Sequence, residues 1–339
     1  MRLISSLIVI AALAAGAAEA GPYKAPRNKA GQPDFQGIWT NTALTFLTRP
    51  PIIKGLVPTP EEQANFKKMF LSMAGEIASD APIDPNKPAP PEVKEVANAD
   101  FLEMDMNFGK VRGQVRSSWI IEPSDGKIAL TDEGRALGRA KFNGKTFDNP
   151  ENRPVDERCL TAIGRPEGPP MMNTGFNGHY QFVQTEDHVA ILVEMNHDVR
   201  IVRLKDHKRP HKTITPWMGD SIGWWEGDTL VVETTQVHPN GASFGSMMGN
   251  YAFKATSVVR ERFTRIGKDE LLYEFTVDDP TLYAKPWKAE MSFRPATGPI
   301  YEYACHEGNY SLTNILAGAR VQEKEAAKAP PSAAKPGVH

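Results

Sequence analysis

Only two of the 339 residues are cysteine, acidic and basic residues nearly cancel at 41 against 39, and no apolar run approaches the length of a membrane-spanning helix. Each shortage excludes something. A net charge of −2 leaves no basic field to hold a phosphate backbone, so nucleic acid is not expected as a partner. A bilayer crossing needs roughly 20 consecutive apolar residues, so the mature chain is expected to carry no membrane span. The chain also lacks G-x-G-x-x-G, G-x-x-x-x-G-K-[ST], G-x-S-x-G, H-E-x-x-H and C-x-x-C, which removes the usual support for dinucleotide, nucleotide, serine-hydrolase, zincin and thioredoxin-like readings. Disorder throughout is excluded too, because 40% of the residues are hydrophobic and only 24% charged.

What is present begins with an address. Arg2 precedes an apolar run from Leu3 to Ala15 that closes on Ala18-Glu19-Ala20, the pattern of a secretory signal peptide over residues 1–20. Export to the periplasm or the medium follows, with a mature chain starting near Gly21. In such a compartment an even cysteine count can pair without remainder, so Cys159 and Cys305 are expected to form a disulfide, two buried thiols being the alternative.

Residues 21–150 read as irregular and partly helical, with proline clusters at Pro50-Pro51 and over residues 82–91. Thr59-Pro60-Glu61-Glu62 supplies an N-cap, a first-turn proline and a capping-box glutamate ahead of Phe66, Met69, Phe70 and Met73. A helix over 60–79 is predicted. A shorter helix is expected after Thr131, and residues 319–339, rich in Ala, Lys and Pro, as a disordered tail.

From residue 176 the apolar period becomes two. Runs at 176–184, 189–195, 199–204, 221–225, 229–235, 257–266, 270–277, 288–294 and 300–305 alternate with turn signals such as Glu226-Gly227-Asp228. Many short strands joined by hairpins form an antiparallel meander, which removes its edges by closing. The fold class expected is therefore mainly β, a lipocalin-like (calycin-like) barrel over residues 151–318 with the N-terminal region wrapped over it.

Several segments carry a resemblance: Asp34-Phe35-Gln36-Gly37-Ile38-Trp39, Arg153-Pro154-Val155-Asp156-Glu157-Arg158-Cys159, the stretch from Gly219 to Thr234, Glu261-Arg262-Phe263, and Tyr301-Glu302-Tyr303-Ala304-Cys305 with Glu307 and Asn309. Over residues 34–320 the chain resembles a large family of exported bacterial proteins without an established general activity. The resemblance implies a shared exported β-rich fold and supports pairing Cys159 with Cys305. It transfers no catalytic residue.

Candidate chemistry lies where polar residues interrupt apolar strands. Glu194, His197 and Arg200 follow Val189-Ala190-Ile191-Leu192-Val193 closely enough to meet at one barrel mouth. There His197 would exchange a proton, Glu194 orient it and Arg200 bind substrate, unless Glu194 and Arg200 form only a cross-strand ion pair. His306 and Glu307, beside the expected disulfide, form a second catalytic candidate pair. Glu274, Asp278, Asp279 and Glu290 are weaker candidates, and Asp279 reads as a turn cap. Tyr180, Trp224, Trp225 and Trp287 are expected to line an aromatic cavity for a small molecule, with Met171-Met172 and Met247-Met248 as its rims, although core packing accounts for most such rings equally well. No cofactor is called for. A metal site is not expected, the alternative being one built from distant residues, for example His179, His197 and His306. Two functions follow: an exported lyase, hydratase or hydrolase acting on an aromatic or glycosidic small molecule, or a non-catalytic binding barrel for a small apolar ligand.

Overall fold

A computed structural model of the chain describes residues 23–77, 106–140, 148–162, 164–238, 243–246, 249–307 and 309–328. The expected signal peptide, the proline-rich 82–91, Met247-Met248 and residues 329–339 lie outside them. Nine strands close into a barrel: β1 (Gly37–Thr40), β5 (His179–Gln184), β6 (His188–Val193), β7 (Val199–Arg203), β8 (Asp220–Glu226), β9 (Thr229–Thr235), β12 (Val258–Gly267), β13 (Glu270–Asp278) and β14 (Trp287–Pro295), in that order, with β14 returning to β1. This is a lipocalin-like barrel. Short strands complete the set: β2 (Lys110–Val111) with β3 (Gln114–Val115), β10 (Ser243–Ser246) with β11 (Gly249–Ala252), and β4 (Ile120–Glu122) on the edge of β14 that it shares with β1. The helices are α1 (Pro60–Ile77), α2 (Asp132–Ala140) and α3 (Tyr310–Lys328).

Alternation turns every second side chain inward. Along β13 the inward set is Leu271, Tyr273, Phe275 and Val277, and Tyr273 meets Phe263 and Phe293 from the flanking strands. Removing each such side chain from water contributes on the order of 2–3 kcal/mol. The interior also carries charge. Arg200 is 1% exposed and Glu261 0%; they meet as a two-pronged ion pair, with Arg200 Nη1 2.8 Å from Glu261 Oε1. Arg200 Nε donates to Ser221 Oγ at 3.1 Å, and Nη2 to Thr234 Oγ1 at 2.8 Å. The Tyr273 hydroxyl donates to Glu261 Oε1 at 2.7 Å.

One seam departs from the expected meander. β7 and β8 pair in parallel through Val202 with Ser221 and Arg203 with Ile222, because the 204–219 connection carries the chain back to its starting end. Arg203 and Arg209 clamp this short seam from outside, with Nη1 atoms 2.6 and 2.9 Å from the two oxygens of Asp220.

The ninth strand is not the expected 300–305 but β1, from the region read as a wrapping. Residues 300–305 alternate like a strand, yet their amides serve side chains rather than a ladder: Tyr301 N donates to Glu194 Oε1 at 2.9 Å and Tyr303 N to His197 Nε2 at 2.9 Å. They form a strap, which Cys159–Cys305 ties down. The expected tail is helical as far as Lys328, since α3 starts at an asparagine cap, Leu312 N to Asn309 Oδ1 at 3.3 Å, and continues through good helix formers. At α1 the capping box closes reciprocally, Glu62 N to Thr59 Oγ1 at 3.2 Å and Thr59 N to Glu62 Oε2 at 2.8 Å, and Phe66 and Phe70 are buried against Phe46. Asp279 caps its turn, accepting from Thr281 N at 3.0 Å, while Glu290 binds Arg116 Nη2 at 2.9 Å and so ties the N-terminal region to β14.

Candidate functional site

The end of the barrel where β6 runs out and β7 begins gathers most of the polar residues singled out in the sequence. Glu194 is buried just past β6. Burial pushes its carboxyl upward, but the His179 side chain, with Nδ1 3.3 Å away, and the Tyr301 amide outweigh this and hold it below its ordinary range. The turn that follows places Asn196 at φ 64° and His197 at φ 56°, two successive non-glycine residues in the left-handed region. Strain of this kind persists only where surrounding structure fixes it, and it collects at functional sites. Here the strap amide on His197 Nε2 holds that ring. His197, Asn196, Glu302, His306 and Glu307 line a cleft of about 290 Å³ over the Cys159–Cys305 disulfide.

Arg200 does not join them. β6 and β7 pair Ile191 with Arg200 and Leu192 with Val199, so odd positions of one strand face even positions of the other. Glu194 and Arg200 therefore share no face. The expected ion pair between them is replaced by Arg200 with Glu261, and Arg200 is sealed in the core rather than free to hold a substrate. Nor does the expected aromatic cavity surround the cleft. Tyr180 packs against Phe293 at 5.0 Å between ring centroids and Trp287 against Phe275 at 5.7 Å; both rings are core. Trp225 points inward against Phe35, and Trp224 points outward, its Nε1 donating to Glu226 Oε1 at 3.0 Å. Among the described residues no group of three histidine, cysteine or acidic side chains is placed to hold a metal, so His179, His197 and His306 form no such site.

Behind the cleft lies a cluster that the sequence reading passed over. The segment from Gly164 to Asn173 plugs this end of the barrel. Arg165 stands at φ 58°, and its carbonyl accepts from Gly168 N at 3.1 Å and Met172 N at 3.4 Å, making a tight turn around Glu167. Both side chains are 0% exposed, with Arg165 Nε 3.8 Å from Glu167 Oε1. Arg165 Nη2 also donates to Gly168 O at 3.1 Å and Trp217 O at 3.3 Å, and its guanidinium lies 5.7 Å from the Phe253 ring centre. Neither Glu167 oxygen has a well-aligned hydrogen-bond donor among the described residues.

The consequence is electrostatic. Burial pushes the Glu167 carboxyl up to about 7; Arg165 and the nearby amides of Glu167 and Ala162 pull it back only in part, and Asp198 adds to the rise. Asp198 is itself raised to about 6 by burial, against the pull of Arg165 and His197. Asp198 thus acts electrostatically on Glu167, Arg165 and His197 together, joining the buried pair to the cleft.

Comparison with protein-family models, curated proteins and solved structures found no match. The assignment of this end of the barrel therefore rests on its own chemistry. Its local signal was legible in principle: Gly164-Arg165-Pro166-Glu167-Gly168-Pro169-Pro170 sets opposite charges two residues apart in a segment that glycine and proline keep out of helix and sheet. Asp198 adjoins His197, which the sequence did single out.

Proposed function

We propose that this protein is an exported enzyme performing acid–base chemistry on a small molecule, of the lyase, hydratase or hydrolase type, with Glu167 and Asp198 as its acid–base pair. One observation carries the reading: Glu167 is fully buried without a well-aligned donor, a setting whose desolvation pushes its carboxyl up to about 7. A carboxyl held near neutrality both gives and takes protons at working pH, and holding it there costs stability that a purely structural residue would not require. Two carboxyls raised to about 7 and about 6 divide the labour, the higher acting as acid and the lower as base.

In this scheme Asp198, ionised at neutral pH, removes a proton from the substrate or from an attacking water. Glu167, fully buried behind the cleft, does not touch the substrate; it takes up the proton that Asp198 removes and returns it through Asp198 to the oxygen that leaves or becomes an enol. Arg165, equally buried, stabilises negative charge on this carboxyl pair, and the cleft of His197, His306 and Glu307 admits the substrate. The signal-like N-terminus, the Cys159–Cys305 disulfide and the family resemblance support a location outside the cytoplasm. The binding-barrel alternative has less support, since the interior positions are taken by packed rings and the Arg200–Glu261 pair.

The test is turnover of a panel of plant-derived aromatics and glycosides, followed by mass spectrometry. Glu167→Gln and Asp198→Asn should each lower kcat by roughly 10²–10⁴-fold, as general acids and bases do. Full turnover by both variants overturns the assignment.

A further inference from the structure

The barrel's buried charge has no part in the proton chemistry just described, yet it ends on the segment that carries Glu167. Tyr273 is the link. Its hydroxyl donates to Glu261 Oε1 at 2.7 Å and accepts the amide proton of Met171 at 2.8 Å. Glu261 is fixed in turn by Arg200, and Arg200 by Ser221 and Thr234, each in a different strand. One residue along, Met172 O accepts from the Tyr180 hydroxyl at 3.1 Å. Met172 N then closes on Arg165 O, the carbonyl that also receives Gly168 N. Two phenols from the barrel lining thus reach the turn around Glu167 through four residues of backbone.

We propose that Tyr273 and Tyr180 are positioning residues: they suspend the Gly164–Asn173 segment from the barrel interior and so hold Glu167 in its dry site. The inference rests on the reading of Glu167 as the acid–base residue, but its own observable is where that carboxyl sits. Orientation favours it. A phenol that donates to a carboxylate has its lone pairs left for an incoming N–H, so the Arg200–Glu261 pair fixes the rotor that catches Met171. Burial and the neighbouring Glu261 charge raise the Tyr273 hydroxyl well above its ordinary range, so it remains a donor at every relevant pH.

The experiment uses the full mature chain with selectively ¹³C-labelled glutamate, reading the Glu167 carboxyl against pH, together with amide hydrogen exchange at Met171 and Gly168. Tyr273→Phe keeps the ring and loses both hydrogen bonds. A loosened segment admits water, so the midpoint should fall from about 7 by half a unit or more, with faster exchange at both amides. Tyr180→Phe should move both readouts the same way by a smaller amount, and serves alone if Tyr273→Phe does not fold. Phe182→Leu, a core change that touches neither hydrogen bond, should lower the unfolding temperature and leave the Glu167 midpoint in place. The inference is overturned if the tyrosine variants lose stability like Phe182→Leu while the midpoint and the Met171 exchange stay unchanged. Loss of the acid–base reading would show separately, as full turnover in Glu167→Gln with the tyrosine effects on the midpoint intact.

Discussion

Cutting the Arg200–Glu261 pair from either side should cost far more than replacing it whole. Both side chains are at most 1% exposed, so each pays a large desolvation penalty that its partner offsets. Burial works against the charged guanidinium, and the Glu261 carboxylate beside it more than compensates, holding Arg200 above its ordinary range. Glu261→Gln removes the countercharge and leaves that guanidinium with neutral acceptors alone, an amide oxygen beside Ser221 and Thr234, and should lower the unfolding free energy by about 3–5 kcal/mol, the range for breaking a buried pair. Arg200→Met leaves a lone carboxylate with Tyr273 as its donor and should cost a similar amount at pH 8. It should recover as pH falls, because a lone buried carboxyl escapes its penalty by taking a proton. The double variant Arg200→Met with Glu261→Leu replaces charge by matched apolar volume and should fall within about 1–2 kcal/mol of the parent, giving a coupling of several kcal/mol. Urea denaturation of the four proteins at pH 8 and pH 5 measures every term. Single variants that each cost under about 1 kcal/mol, or a double variant equal to the sum of the singles, would refute the reasoning.

Glu167 should make stability fall as pH rises: between about 4.5 and 7 the folded state binds a proton that the unfolded state has released, and the full difference is worth about 3 kcal/mol. Glu167→Gln, which mimics the neutral acid, should match the parent near pH 5 and exceed it near pH 8, and a flat parental profile in denaturant titrations contradicts this. Asp220 runs the other way. Burial raises its carboxyl but Arg203 and Arg209 hold it below the ordinary range, so its contribution is present above about pH 4 and lost on further acidification; Asp220→Asn should speed amide exchange across the parallel β7–β8 seam at neutral pH. Replacing both Cys159 and Cys305 by serine opens a loop of 146 residues' separation and should cost about 5 kcal/mol by the chain-entropy model, measurable by calorimetry. Thr59→Ala removes the α1 cap and should cost about 1 kcal/mol in denaturant unfolding.

Most of the barrel was legible because alternation and hairpin turns are local signals. β9 spans Thr229–Thr235 as read, and the disulfide forms between the two cysteines named. The misreadings have nonlocal causes. β1 is only four residues long and owes its place to partners more than 130 positions away, Phe182 to His179, which no local pattern reveals. The 300–305 strap has a strand's alternation, and only the positions of Glu194 and His197 divert its amides from a ladder. Arg200 misses the mouth where it was expected beside Glu194 because the register sets Ile191 opposite it, and register depends on the turn geometry around Asn196 and His197. Glu167 escaped notice for the same kind of reason: the Arg165-Pro166-Glu167 charge pair is visible locally, but its chemistry comes from burial by distant elements, which the surrounding sequence does not show.

The central claim is that Glu167 is a dry carboxyl poised for proton transfer at neutral pH. Its own titration tests this most directly: a ¹³C-carboxyl resonance assigned by its disappearance in Glu167→Gln, followed from pH 4 to pH 9. The account predicts a midpoint at about 7, with a second, lower step near 6 in a resonance that Asp198→Asn removes when aspartate is labelled instead. A Glu167 midpoint between 4 and 5, the value of an ordinary solvated glutamate, would contradict it.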